Sequence, residues 1–396
     1  MASVDARQSP WTNLPTDLMK LLIKKMTEPS DYIRFRCVCS AWRSAATRFG
    51  LPQHIPLLML PYDAASEARH VFSLSTNKVH TVFVPELVNK IILTASHGWL
   101  VLLDVAAPDA ALSLLNPVTR DRIQLPPTND FYRLSDFVFS PDRNRFLSRR
   151  YGESRAKGLD KYSHVYPWQV VLSSNPFSID GKCFVMIRDC YFNDRNAAVC
   201  KVGDDAWTVV ESNLPEPPLS MACHNGHFYM IDMEGNVSVC KAEAPFESGR
   251  IHSLQMEPYG TFFFVAATRE LLLFVQFEEE TDDDRYEKGR FDVFKLRLRK
   301  PPASSWAKEV DGHALFRSEQ LNQNLAVPAA EIPGCRVDCI YFSDPFDFSH
   351  ERVENSIHEI DMLDVKTGNC EHLPCGWRKM PSRELLRSVW VQLSLF

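Results

Sequence analysis

The first fifty residues of the chain carry a helical pattern of apolar positions. Between Trp11 and Phe49, apolar side chains recur every three or four residues, which predicts short α-helices. Pro15 and Asp17 suit the first turn of a helix, where a missing N–H is harmless and a negative charge is favourable. Pro29 ends this helix and precedes a second one. The pattern therefore predicts a small unit of three short helices.

The first of these helices has more apolar surface than one packing face needs. Leu18, Leu21 and Leu22, together with Met19 and Ile23, cover roughly 200° of a helical wheel, about twice the ~100° that a surface helix buries. Three helices in about forty residues are also near the smallest size that folds alone. We therefore predict that the unit presents an apolar face to another protein or to the downstream domain.

Beyond residue 90 the pattern changes to short strands separated by turns. Apolar runs surround turn residues such as His97-Gly98, Asn225-Gly226 and Thr367-Gly368, and several runs lead into a Leu-Pro pair. Near-regular short strands without a long helical pattern are typical of radial repetition, and we favour an irregular β-propeller over a sandwich or barrel. At ~45 residues per blade, residues 70–380 would hold about six or seven blades.

These patterns divide the chain into four segments. Residues 11–49 are predicted as the helical domain and residues 50–89 as a linker with edge elements. The linker assignment depends on Pro52, Pro56 and Pro61, since proline cannot donate to a strand ladder. Residues 90–380 are predicted as the propeller-like domain, and residues 381–396 as a C-terminal tail packed on it.

The N-terminal motif resembles an F-box in the version found in plant F-box proteins. The resemblance depends on Leu14-Pro15 before an aliphatic helix, on the run IRFRCVC from Ile33 to Cys39, and on Trp42-Arg43. The C-terminal part is similar to the domain that follows the F-box in the KIB-type family, through Ile340–Asp344 and Trp390–Leu395.

The resemblance implies an α+β multidomain fold, with a three-helix F-box followed by a mainly-β, Kelch-like propeller. It also implies a substrate-recognition subunit of an SCF-type (Skp–cullin–F-box) E3 ubiquitin ligase. The F-box would bind a Skp-family adaptor and reach the cullin scaffold indirectly, while the propeller would hold a target protein that the sequence does not name. The expected adaptor-binding positions are Leu14, Pro15, Leu18, Met19, Leu22, Ile23, Met26, Ile33, Val38 and Trp42.

Composition and charge narrow the classes of partner. The 396 residues are 45% hydrophobic and 24% charged, and the net charge of −6 gives no reason to expect nucleic acid or an anionic membrane as a partner. The N-terminus lacks the apolar core of a signal peptide, and no uninterrupted apolar run approaches the ~18 residues of a membrane span. We expect a soluble protein of the cytoplasm, the nucleus or both, with its 11 cysteines reduced.

Catalytic and metal-binding patterns are weak. The chain contains no P-loop, G-x-G-x-x-G, H-E-x-x-H or G-x-S-x-G motif, so we expect a non-catalytic protein without a cofactor. Cys335 and Cys339, with Cys370, His372 and Cys375, resemble a zinc cluster. If residues 335–339 form a strand, however, the first two sulfurs are roughly 13 Å apart at ~3.3 Å per residue, which excludes joint ligation.

Two other functions remain open from the sequence. A propeller hydrolase or lectin-like binding protein could use the helices merely as an N-terminal cap. A non-degradative scaffold could bind the adaptor without the cullin. Adaptor binding separates the first of these from the ligase hypothesis, and co-purification of cullin separates the second.

Overall fold

The computed structural model describes most of the chain. The described residues are 10–26, 29–49, 56–62, 66–104, 111–127, 137–140, 145–148, 168–178, 180–189, 196–254, 260–267, 270–280, 286–297, 303–307, 310, 312–318, 323–332, 334–343, 357–378 and 388–393. They form a helical N-terminal unit followed by a six-bladed β-propeller.

The helical unit confirms the predicted three helices. After a short 3-10 helix at Pro10–Asn13, α1 spans Thr16–Lys24, α2 spans Pro29–Arg36 and α3 spans Ser40–Phe49. The chain enters α1 through Pro15, which has an extended conformation, and Asp17 lies in the first turn, where its charge favours the helix dipole.

Twenty-seven strands follow in the described residues. The first blade contains β1 Leu57–Met59, β2 Ala68–Ser73 and β3 Lys78–Phe83. The second contains β4 Lys90–Ser96, β5 Trp99–Asp104, β6 Leu112–Leu115 and β7 Arg122–Gln124, and a separate hairpin follows with β8 Phe137–Ser140 and β9 Arg145–Ser148.

The third and fourth blades also use four consecutive strands each. The third contains β10 Trp168–Leu172, β11 Phe184–Asp189, β12 Asn196–Lys201 and β13 Thr208–Glu211. The fourth contains β14 Pro218–His224, β15 His227–Asp232, β16 Asn236–Lys241 and β17 Ser248–Ser253.

The last two blades differ from each other in topology. The fifth contains β18 Gly260–Ala266, β19 Leu271–Glu280, β20 Tyr286–Arg297 and β21 Ala303–Ala307. The sixth contains β22 His313–Ser318, β23 Gln323–Pro328, β24 Cys339–Phe342, β25 Ile357–Asp364 and β26 Cys370–Arg378, and the final strand of the chain is β27 Val389–Val391. The order in the sixth blade is β23-β22-β24-β25-β26, and β22 runs parallel to β24.

Strands in the interior of the blades are apolar on both faces. Residues Trp99 to Leu103 of β5 and Leu271 to Val275 of β19 are all buried. This pattern arises because neighbouring blades cover both faces of each sheet, so alternation between apolar and polar positions is lost. Apolar clusters accordingly lie between adjacent blades, including a large one shared by the first three.

The ring is closed by the last strand pairing with the first. The first blade has the order β27-β1-β2-β3, with Leu58 of β1 opposite Trp390 of β27. The predicted linker at 50–89 therefore contains three blade strands, and the predicted tail at 381–396 supplies the innermost strand of the same blade. The pairing that joins these two segments spans more than 300 residues and leaves no local pattern in the sequence.

Pro56 and Pro61 flank a strand that lies inside its sheet, while β3 lies at the edge of the same sheet. β1 lies between β27 and β2, so it is internal to its sheet. Pro56 and Pro61 lie outside its three residues, Leu57–Met59, and remove no donor from the ladder.

Candidate adaptor-binding site

The helical unit has a core of its own. Its buried members come from all three helices, and they are Met19, Ile23, Tyr32, Phe35, Ala45 and Ala46. On α1, Met19 and Ile23 are four residues apart and therefore lie on one face. The unit thus uses only this face of α1 to pack against α2 and α3.

Two hydrogen bonds and an aromatic contact hold the helices together. The Tyr32 hydroxyl donates to the Ala46 carbonyl oxygen at 2.7 Å, and burial raises the pKa of Tyr32 to about 12. The Trp42 indole N–H donates to the Trp11 carbonyl oxygen at 2.8 Å, and the Phe35 and Trp42 ring centroids are 4.3 Å apart. These contacts fix α3 against α2 and the N-terminal segment.

Five aliphatic side chains of the helical unit remain outside this core. Leu18, Leu21 and Leu22 of α1 are 49%, 52% and 40% exposed, and Ile33 and Val38 are 43% and 53% exposed. The α1 residues lie at i, i+3 and i+4, so they share one face of the helix. We call these five residues the apolar strip. The described part of the chain leaves the strip uncovered, which is the surplus that the helical wheel predicts.

The ten positions expected to bind the adaptor divide into three groups. Exposed side chains are those of Pro15, Leu18, Leu22, Ile33 and Val38, and partly buried ones are those of Leu14, Met26 and Trp42, which pack against the helical core. The structure encloses Met19 and Ile23, with 7% and 2% exposure, in that core.

Met19 and Ile23 therefore belong to the helical core and not to the exposed face of α1. Each is one residue beyond a leucine of the apolar strip, and one residue turns a helix by about 100°. Leu21 is not among the ten expected positions, although it is exposed and its i+3 spacing from Leu18 places both on one face. The motif resemblance could not separate inward from outward positions, because both are apolar.

Basic side chains outnumber acidic ones in the helical unit. Residues 10–49 contain Lys20, Lys24, Lys25, Arg34, Arg36, Arg43 and Arg48, against Asp17, Glu28 and Asp31. The net charge of this segment is thus positive, while that of the whole chain is −6. Lys24, Lys25 and Arg43 are exposed, and Arg34 pairs with Asp31 at 3.0 Å.

The structure changes the argument about Cys335 and Cys339 as possible metal ligands. Strand β24 begins at Cys339, so residues 335–338 precede the strand and the 13 Å separation does not follow. Burial raises the pKa of both Cys335 and Cys339, to about 12 and about 11. Among the described residues, no group of three His, Cys, Asp or Glu side chains could hold a metal ion.

The described helices include no candidate for a membrane-spanning segment. None of them combines the length and the apolar character that crossing a bilayer requires.

Comparison with protein families gives a direct match to both parts of the fold. The F-box domain model matches residues 11–54, and the KIB1-4 beta-propeller model matches residues 71–365, about three quarters of the chain. The chain belongs to the KIB1-4 beta-propeller family of F-box proteins. Its F-box is the helical unit that carries the apolar strip.

Relatives of this F-box protein occur in Arabidopsis thaliana. F-box protein SKIP23 is 29% identical over 236 residues, which cover 58% of this chain and 55% of the relative. F-box protein At2g26160 is 24% identical over 238 residues, covering 57% and 62%. The chain thus spans little more than half the length of these relatives. Putative F-box protein At5g55150 is 22% identical over 347 residues, covering 86% of both chains.

Proposed function

We propose that this F-box protein is a substrate-recognition subunit of an SCF-type E3 ubiquitin ligase. In this role the F-box binds a Skp-family adaptor, the adaptor binds the cullin scaffold, and the propeller binds a target protein. The observation that supports the proposal most directly is the apolar strip, which is exposed on a unit whose own core is already filled.

The size of the strip supports a specific partner. Complete burial of an aliphatic side chain contributes about 1.5–3 kcal/mol, so burying the exposed halves of five such residues would contribute roughly 4–8 kcal/mol. Association costs several kcal/mol of translational, rotational and side-chain freedom. The strip would therefore need rim contacts with the partner in addition to its apolar contact.

The proposed contribution to catalysis is proximity. Ubiquitin transfer between separate proteins is slow because the reactants must meet and orient, and holding both on one scaffold makes the transfer effectively intramolecular. The F-box protein then needs no reacting group of its own.

The test uses the full-length protein and a purified Skp-family adaptor. The variant carries Leu18→Glu and Leu22→Glu, which place two carboxylates in the contact surface while leaving the helical core unchanged. Desolvating these charges costs at least about 3 kcal/mol, so affinity should fall a hundredfold or more.

A matched control comes from the propeller. Val209 of β13 is 53% exposed, as much as the strip residues, and Val209→Glu should leave adaptor affinity within twofold of the wild type. Equal affinity of the double variant and the wild type would rule out the apolar strip as the adaptor site. Failure of purified cullin to join the complex of the F-box protein with the adaptor would favour the scaffold function over the ligase function.

A further inference from the structure

One turn of the propeller touches the helical unit. Val118 lies in the turn Asn116–Asp121 between β6 and β7, and its partly buried side chain packs against the core formed by α1, α2 and α3. The contact links the F-box to the second blade. Residues 50–55, which join the two parts in sequence, lie outside the described residues.

The same turn occurs in the sixth blade and provides an internal comparison. The Asn116 side-chain oxygen accepts hydrogen bonds from the N–H groups of Val118 and Thr119 at 2.9 and 3.1 Å. Between β25 and β26, Asp364 accepts from Lys366 and Thr367, both at 2.9 Å. In each turn the backbone carbonyl oxygen of the first residue also accepts a hydrogen bond from the N–H of the fifth residue, at 2.9 Å in the second blade and 2.8 Å in the sixth.

The fifth residue of this turn has a left-handed conformation. Its φ is +75° at Gly368 in the sixth blade and +53° at Asn77 in the first blade, where the turn is counted from Ser73, the last residue of β2, to Lys78, the first residue of β3. Glycine and asparagine adopt this conformation at low cost. In the second blade the same position holds Arg120 with φ +68°, a residue for which the conformation is unfavourable.

The side chain of Arg120 makes contacts that glycine could not. Its guanidinium pairs with Glu86 at 2.5 Å and donates to the Phe83 carbonyl oxygen at 3.0 Å. Phe83 is the last residue of β3, and Glu86 lies in the connection between β3 and β4. Arg120 therefore anchors the turn to the first blade, which explains why an unfavourable backbone conformation is retained here.

The third residue of the turn also differs between blades. It is Ser75 in the first blade and Lys366 in the sixth, both exposed, and Lys366 pairs with Asp338 at 2.8 Å. Only Val118 among these three is apolar, and it is the one that packs on the helical core. The turn in the second blade thus combines an apolar contact to the F-box with an anchor to the neighbouring blade.

We propose that Val118 and Arg120 are positioning residues that hold the F-box at one orientation on the propeller. The consequence for ubiquitin transfer depends on the function proposed above: an adaptor on the apolar strip and a target on the propeller keep a constant mutual geometry. A loosely tethered F-box would instead sample many orientations, and most of them would separate the target from the transferred ubiquitin.

The experiment measures the orientation directly in the full-length protein. Spin labels on noncanonical amino acids replace exposed Ser44 of α3 and exposed Asp205 of the third blade, and double electron–electron resonance gives their distance distribution. The wild type should give one narrow distance. Val118→Lys, which introduces the residue of the sixth-blade turn, should broaden the distribution at least twofold.

A second variant and a matched control separate positioning from folding. Arg120→Gly keeps the turn conformation and removes only the anchor, so it should also broaden the distribution. Ser75→Lys changes the equivalent position in the first blade and should leave it narrow. The melting temperature of the propeller and adaptor affinity should stay at wild-type values in all three variants.

Two results would overturn the proposal. One is a distribution that stays as narrow in Val118→Lys and Arg120→Gly as in the wild type. The other is a loss of adaptor affinity of tenfold or more in these variants, which would make the turn part of the F-box fold. Wild-type protein that fails to bind adaptor yet shows the expected distances would refute the proposed function and leave the positioning role supported.

Discussion

The side chain of one glutamine joins the sixth blade to the strand that closes the propeller. Gln323 begins β23, the innermost strand of the sixth blade, and is 4% exposed. Its amide donates to the carbonyl oxygens of Trp390 at 2.7 Å and Ala95 at 3.0 Å, and its oxygen accepts from the Trp390 N–H at 3.0 Å. It pairs with the free edge of β27 as a strand residue would and also contacts β4, so three blades meet at this amide.

The stability lost on replacing Gln323 can be worked out from those three hydrogen bonds. Gln323→Leu preserves approximate volume but removes all three, each contributing about 1 kcal/mol, and leaves the buried Trp390 N–H without this partner. We expect a loss of about 3–5 kcal/mol, a large part of the 5–15 kcal/mol that typically stabilises a domain. The weakened element is β27, because the amide substitutes for a neighbouring strand at its inner edge.

The assay is hydrogen exchange at the Trp390 amide together with the thermal midpoint. A loss of 3 kcal/mol accelerates exchange by about two orders of magnitude, since each 1.4 kcal/mol is tenfold. The control is Gln124→Leu, because exposed Gln124 also donates to a backbone carbonyl, that of Leu112 at 2.7 Å. Equal and small effects of both substitutions, under about 1 kcal/mol, would refute the closing role of Gln323.

A charged substitution at this position adds a pH test with a definite sign. In Gln323→Glu the carboxylate faces two carbonyl oxygens in a buried site, so the pKa of the new carboxyl is raised above the ~4.3 of an exposed glutamate. The variant is then most stable below pH ~4.3, the pKa of an exposed glutamate, and loses stability as the pH rises through the raised pKa of the buried carboxyl. A variant that becomes more stable as pH rises from 4 to 7 would contradict this account.

Two further predictions concern the F-box itself. Tyr32→Phe removes the hydrogen bond to Ala46 and should destabilise the helices by about 1–2 kcal/mol. Because burial raises the pKa of Tyr32 to about 12 from an ordinary value of 10, the wild type should lose helicity, measured by circular dichroism, between pH 10 and 12, and the variant should not. The same loss in the variant would disprove the role of Tyr32 ionisation. The positive charge of the F-box suits a partner with an acidic surface, so Lys24→Glu with Lys25→Glu should slow adaptor association several-fold at low salt, measured by surface plasmon resonance, with the difference vanishing at high salt. A salt-independent effect would argue against electrostatic steering.

Much of the architecture was predictable because helices, strands and turns leave short-range patterns in the sequence. The spacing of Leu18 and Leu22 indicated a helix, and turn pairs such as Asn225-Gly226 separated short strands. The irregular repeat of those strands predicted a propeller of about six or seven blades, and six are present. The exposed strip followed from counting apolar residues around one helix. The count could not show that Leu21 is exposed while Met19 is buried.

The sequence alone thus determined that three short helices precede a region of short strands, and that the F-box has apolar surface to spare, because helical and strand periodicities act over a few residues. Only the tertiary structure decided how distant segments meet. The pairing of β27 with β1, the position of Gln323 against Trp390, and the packing of Val118 on the F-box join residues far apart in the chain. Such contacts depend on which surfaces remain to be buried once the blades have formed, and no local pattern records that.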